Sequence, residues 1–224
     1  MDSEPTAARP NAVPPSDFAR VRRLGKRGAY DRETIDAILD AAPFCHVGHI
    51  VRGRPVVIPT LHWRAGDTVL FHGNAASRML ETGAAGGEVC LTASLLDGFV
   101  LARTGFHHSA NYRSAMVFGV PVAVTEPEAK LAALAGFTER LFPGRWATLR
   151  PPTAQELKAT LVLSLPLTEA SAKLRRGGPI DEPEDLDWPV WAGVVPVRLS
   201  VDPPVPEPGL APDLTPPDPP RWLR

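Results

Sequence analysis

The sequence predicts a mainly β protein: a closed or nearly closed antiparallel barrel with a few peripheral helices. Two observations carry this. Apolar runs of five to eleven residues follow one another from Phe44 onward, divided by turn residues. An Asp-Gly pair, Asp97-Gly98, lies between two such runs, which is a hairpin signal. Closing the sheet would remove its exposed edges.

The elements follow in order. "YDRETIDAILDAAP" predicts a helix, with Asp31 as N-cap, Ile35, Ile38, Leu39 and Ala42 on one face, and Pro43 as the stop. Strands are expected at 44–51, 55–63 and 68–72, turning at Gly53 and at "RAGD". Further strands are expected at 88–96, 99–105 and 114–124. Thr125 with Glu128 has the form of a capping box opening a helix that ends at Pro143-Gly144. Thr153 with Glu156 repeats that pattern before "LKATLVLSLPL", which changes to strand character, and "PVWAGVVPV" (189–197) supplies a last strand.

Composition sets the limits. The chain has 224 residues, 44% hydrophobic and 22% charged, as in an ordinary globular protein of one domain. A net charge of −1 gives no reason to expect nucleic acid or an anionic membrane surface as partner. The N-terminus has acids and prolines where a secretory signal needs a basic and then an apolar region, and no run reaches membrane-spanning length. Cys45 and Cys90 read as reduced, buried thiols, so a cytoplasmic location is expected. From Asp202 to Arg224, nine of 23 residues are proline. The expected division is a flexible arm over 1–28, a folded body over 29–200 and a disordered tail over 201–224. The basic stretch "RVRRLGKR" (20–27) reads as a solvated arm, with packing across a second subunit as one option.

No metal site is expected. His107 and His108 are adjacent, and His46 and His49 are three apart, so in extended strands each pair points to opposite faces. A GxSxG elbow, a dinucleotide fingerprint and a P-loop are all missing from the sequence. "HGNAASRML" (72–80) leaves a strand, turns at Gly73 and presents Ser77 and Arg78 at a short helix. This is a suitable phosphate seat, and equally an ordinary capped helix with a solvated arginine.

"HVGHIVRGRPVVIPTLHWRAGDTVLFHGNAASRML" followed by "NYRSAMVFG" resembles the flavin-nucleotide-binding branch of the pyridoxamine 5′-phosphate oxidase-related family, which includes nitroimidazole-resistance proteins. The resemblance covers about Tyr30 to Val197. It implies a homodimer of six-stranded split barrels binding FMN at the subunit interface. Val57, Ile58, Pro59 and Thr60 would then lie along the flavin ring, with His72 and Gly73 bordering the cleft and Ser77 and Arg78 holding the phosphate. Met79 stands where the oxidases proper place another basic residue, and Lys173 or Arg175 could supply the missing charge. Asn111, Arg113 and Ser114 are candidates for the partner subunit's contribution. Trp191 is a candidate near the ring or, on the alternative reading, a core aromatic of the last strand.

The expected function is that of an FMN-dependent oxidoreductase acting on a small molecule, with nitro-compound reduction one option. The determinants of pyridoxamine-phosphate oxidation itself are not recognisable. His72 and His107 are the residues best placed by type to meet substrate or ring. A haem-binding or haem-degrading split barrel is the alternative, with His72, His107 or His108 as ligand. A non-catalytic carrier or sensor of flavin or F420 is a third reading.

Overall fold

The computed structural model describes residues 13–211, 213–218 and 220. Among these residues, ten antiparallel strands make up one sheet, with four α-helices packed on it. The strands are β1 (Gly28–Ala29), β2 (Phe44–Val51), β3 (Arg54–Ala65), β4 (Thr68–Asn74), β5 (Val89–Leu101) and β6 (Ser109–Gly119). β7 (Val122–Ala123), β8 (Thr160–Pro166), β9 (Ala170–Arg175) and β10 (Gly193–Pro196) complete the set. The helices are α1 (Arg32–Ala41), α2 (Arg78–Ala84), α3 (Pro127–Leu141) and α4 (Ala154–Ala159).

Hydrogen-bonded neighbours run β1-β9-β6-β5-β2-β3-β4-β8-β7, with β10 added to β5. The ends of this path, β1 and β7, are not paired with each other, so the sheet curves round a core without closing. Ile35, Ile38 and Leu39 of α1 fill that core against Val47, Phe71, Leu91, Val117 and Leu165. A second cluster lies on the other side of β3, β4 and β8, where Trp63, Leu70 and Val162 meet Leu134 and Phe137 of α3.

Local chemistry explains the elements. Asp31 caps α1 by accepting the Thr34 N–H at 2.8 Å, and the helix ends one residue short of Ala42-Pro43. The turn between β2 and β3 places Arg52 at φ 49° and Gly53 at φ 74°, the doubly left-handed geometry of a tight hairpin. Thr153 and Glu156 form a reciprocal capping box at α4. The corresponding box expected at Thr125 does not form. α3 starts later, behind Glu126, with Pro127 supplying the fixed φ of a first turn.

The Asp-Gly pair is not a turn. β5 runs straight through it from Val89 to Leu101, and the register against β6 shifts between Leu96 and Gly98. Asp97 is the extra residue of a β-bulge. Neither residue has positive φ, and Gly98 is needed for closeness: an added Cβ would lie 2.9 Å from the Val195 carbonyl oxygen of β10. The 114–124 run breaks at Gly119, and the last strand is shorter than expected, 193–196.

The arm is described from residue 13. Phe18 packs edge-on against Phe118 at 4.8 Å, Ala19 is buried, and the Val21 N–H donates to the Tyr30 hydroxyl at 2.8 Å. Residues 202–211 and 213–218 carry neither helix nor strand, and expectations for 1–12 lie outside the described residues.

Candidate functional site

β2 and β3 pair in register from Phe44↔Leu61 to Val51↔Arg54. Opposed residues share a face, so His49 lies beside Val56, and Val47 beside Ile58, on the inner side of the sheet. At this end of the pair, His49, Val51, Val56 and Ile58 meet Ser77, Arg78 and Met79 around a cleft of about 200 Å³. The turn after β4 delivers the last three. Asn74 accepts the Ala76 N–H at 2.9 Å through its side chain and the Ser77 N–H at 2.9 Å through its carbonyl. Met79 is buried as an anchor, Arg78 is exposed, and the Ser77 hydroxyl makes no capping bond.

His49 is a candidate that the sequence argument weighed only as a metal ligand. It is 5% exposed, and its Nδ1 is a buried polar atom without a hydrogen-bond partner. Buried polar atoms are normally satisfied, so an orphan on a residue of the cleft wall makes His49 a candidate for a ligand contact. The available signal was alternation: Cys45, Val47 and His49 face inward together, and a histidine at the third position breaks an apolar series.

Of the expected residues, the structure brings Ile58, Ser77 and Arg78 into one cleft. Val57 and Pro59, paired opposite Gly48 and His46, face the other side of the sheet, while Thr60 shares the inner side with Ile58. Gly73 meets Leu80, whose Cδ1 would sit 3.2 Å from an added Cβ, so the glycine serves helix packing. His72 lies under α3, with ring centroids 4.6 Å from Phe137 and 5.5 Å from Trp63. Burial pushes its pKa down, and its Nδ1 lacks a partner.

The "NYRS" run divides. Asn111 and Arg113 turn inward, and Ser114 turns to the outer face, where its hydroxyl donates to the Lys173 carbonyl at 3.2 Å. Asn111 donates to the Gly177 carbonyl at 3.0 Å and accepts from Arg175. Arg175 also donates to the carbonyls of Gly177 and Gly178, which commits it to that turn. Arg113 grips Asp97. Lys173 lines a hollow beneath Phe18 to Arg23.

The histidine pair is not extended. Gly105–His107 forms a single 3-10 turn, and the pair separates. His107 Nε2 lies 3.7 Å from a Glu182 carboxylate oxygen. His108 is exposed, and its Nδ1 donates to the Thr104 carbonyl at 2.8 Å. Phe106 packs edge-on against His107 at 5.4 Å, and Phe106, Ile180, Trp188 and Trp191 are each more than 60% exposed, which removes the core reading of Trp191 in this protomer. Among the described residues no three His, Cys, Asp or Glu side chains converge on one point.

The family model described as pyridoxamine 5′-phosphate oxidase matches residues 31–174. The chain belongs to this family. The match runs from α1 into β9 and includes the Ser77–Arg78 turn, and it fixes no substrate. Two solved structures in the pyridoxamine 5′-phosphate oxidase fold are similar over nearly the whole chain. The flavocytochrome Anf3 from Azotobacter vinelandii is 44% identical with a TM-score of 0.88, over 93% of this chain and 96% of that one. The FAD- and haem-binding protein from Mycobacterium smegmatis is 37% identical with a TM-score of 0.81, over 84% and 93%. A 5-nitroimidazole antibiotic resistance protein from Bacteroides thetaiotaomicron, 24% identical with a TM-score of 0.52, shares the fold over 64% of this chain and 83% of that one. No curated protein matches the chain.

Proposed function

We propose that this member of the pyridoxamine 5′-phosphate oxidase family is a two-cofactor redox protein that binds a flavin and a haem and passes electrons to or from a small molecule. The cleft at His49, Ser77 and Arg78 carries the flavin half of this reading. An orphaned ring nitrogen, an uncapped hydroxyl and an exposed guanidinium there form a donor set suited to a phosphate.

FAD suits these residues better than FMN. The terminal phosphate of FMN approaches two negative charges at neutral pH, whereas each phosphate of FAD carries one. Met79 is apolar and buried, which leaves Arg78 as the single cation of the cleft wall. Arg54, paired opposite Val51, would meet a second phosphate on this reading. The 37% identical relative that binds FAD and haem supports the same choice.

The haem half rests on His108. A histidine that donates its Nδ1–H to a backbone carbonyl keeps a lone pair on Nε2, the form that ligates iron. Phe106, exposed and edge-on to His107, supplies apolar surface of the kind a macrocycle covers. Both similar structures with substantial identity are flavin- or haem-named proteins.

When bound, the flavin supplies two-electron and the haem one-electron chemistry. The chain binds and orients: Arg78 neutralises phosphate, His49 donates or accepts through Nδ1, and Thr104 holds the His108 ring. We further propose a homodimer. Ile50, Val57 and Met116 are exposed on the outer face of β2, β3 and β6, an apolar surface that a second copy would cover. None of the described helices is long and apolar enough to cross a membrane. A reducing compartment suits Cys45 and Cys90, both free thiols.

The visible spectrum of the purified protein tests the reading. A flavin envelope together with a Soret band supports it, whereas a Soret band with no flavin released on denaturation contradicts the assignment of the His49 cleft.

A further inference from the structure

A gap in the strand order beside β5 contains a cleft that the flavin and haem sites do not use. One edge of β5 pairs with β2 as far as Ala93, opposite Cys45, and takes up β10 from Gly98, opposite Pro196. Between these pairings, Ser94 to Asp97 has no strand on that edge. The opening is a cleft of about 640 Å³, within the range of small-molecule sites. Phe44, Leu96 and Leu199 form apolar walls, and Arg113 with Asp97 forms the floor.

The floor is built by the bulge. Asp97, the extra residue in β5, accepts from Arg113 Nε at 2.9 Å and from Nη2 at 2.7 Å. Its carbonyl also accepts the Val197 N–H at 3.1 Å, which ties the wall formed by 197–199 to the floor. Arg113 is thereby fixed in one orientation, and its Nη1 has no hydrogen-bond acceptor among the described residues. Arg198, a second lining cation, has no acidic partner among the described residues. Two cations against one carboxylate leave one positive charge uncompensated.

We infer that this cleft is a binding site for a small aromatic monocarboxylate. The free edge of Arg113 matches a carboxylate in two-pronged geometry, and one net charge matches one anion. Phe44 and the two leucines match a ring. The cleft is distinct from the flavin cleft within the protomer. One takes in Phe44 and the other His49, five residues apart on β2, about 16 Å at the rise of a strand.

The test is calorimetric titration of phenylacetate, and of its neutral amide, into the full-length protein as purified. The site predicts saturable binding of one phenylacetate per chain, with phenylacetamide at least tenfold weaker. Arg113→Gln should weaken phenylacetate at least tenfold. Leu199→Glu, at an exposed position that the fold does not need, should do the same by repulsion and decides the matter if Arg113→Gln does not fold. Arg78→Ala should leave phenylacetate binding unchanged. Absence of saturable binding, equal binding of the amide, undiminished affinity in Leu199→Glu, or loss on Arg78→Ala would each overturn the site.

Discussion

The Nε2–H of His62 donates to the carbonyl oxygen of Leu39 at 2.9 Å, joining β3 to the last turn of α1. Arg140 of α3 donates to the same carbonyl at 3.1 Å and to that of Asp40 at 2.6 Å. The C-terminal end of α1 is thus pinned from two sides, and a histidine 1% exposed is held neutral.

That neutrality makes stability depend on pH. Burial lowers the His62 pKa from 6.5 to about 4. Above the unfolded value both states are neutral and stability is complete. As pH falls from 6.5 towards 4, the unfolded chain takes up the proton and the folded chain does not, so stability is lost, by about 2–4 kcal/mol in total. Urea unfolding at pH 7.5 and 4.5 checks this, with a shallower pH dependence expected for His62→Gln.

Gly98→Ala should separate β10 from β5. The added carbon would meet the backbone oxygen of Val195 at 2.9 Å, which side-chain rotation cannot relieve. A loss of about 1–3 kcal/mol is expected in denaturant unfolding, as for other overpacked sites.

The two capping sequences should behave differently on mutation. Thr153→Ala removes a formed box and should cost about 0.5–2 kcal/mol. Thr125→Ala removes an exposed hydroxyl that caps nothing and should stay within about 0.5 kcal/mol of the parent. Parallel thermal or urea melts separate the two.

His108→Ala should abolish the Soret band of the purified protein while leaving its flavin content unchanged. His72→Ala should keep the band, because its ring is wedged under α3 between Trp63 and Phe137. Absorption spectra with released-cofactor analysis read both.

Much of the fold was legible because local signals and tertiary context agree. Asp31 caps α1, Gly53 turns the first hairpin, and Thr153 starts α4 as their residue types suggest. Asp97-Gly98 failed as a turn signal because its neighbours were invisible. Arg113, 16 residues away, captures the aspartate, and β10 crosses the glycine. Of the candidate site, half was legible. Ser77 and Arg78 announce themselves by type and spacing, whereas His49 becomes notable only once pairing with Val56 shows which way it faces. Adjacency misled at "NYRS", where strand alternation sends Arg113 and Ser114 to opposite faces.

The most direct test of the central claim is a fluorescence titration of cofactor-stripped protein with FAD, run beside Arg78→Ala. The parent should bind saturably, and the variant should lose about 1.5–3 kcal/mol of affinity, roughly a 10- to 150-fold rise in Kd. Equal affinity in the two proteins, or no binding by the parent, would contradict a flavin phosphate at Ser77 and Arg78.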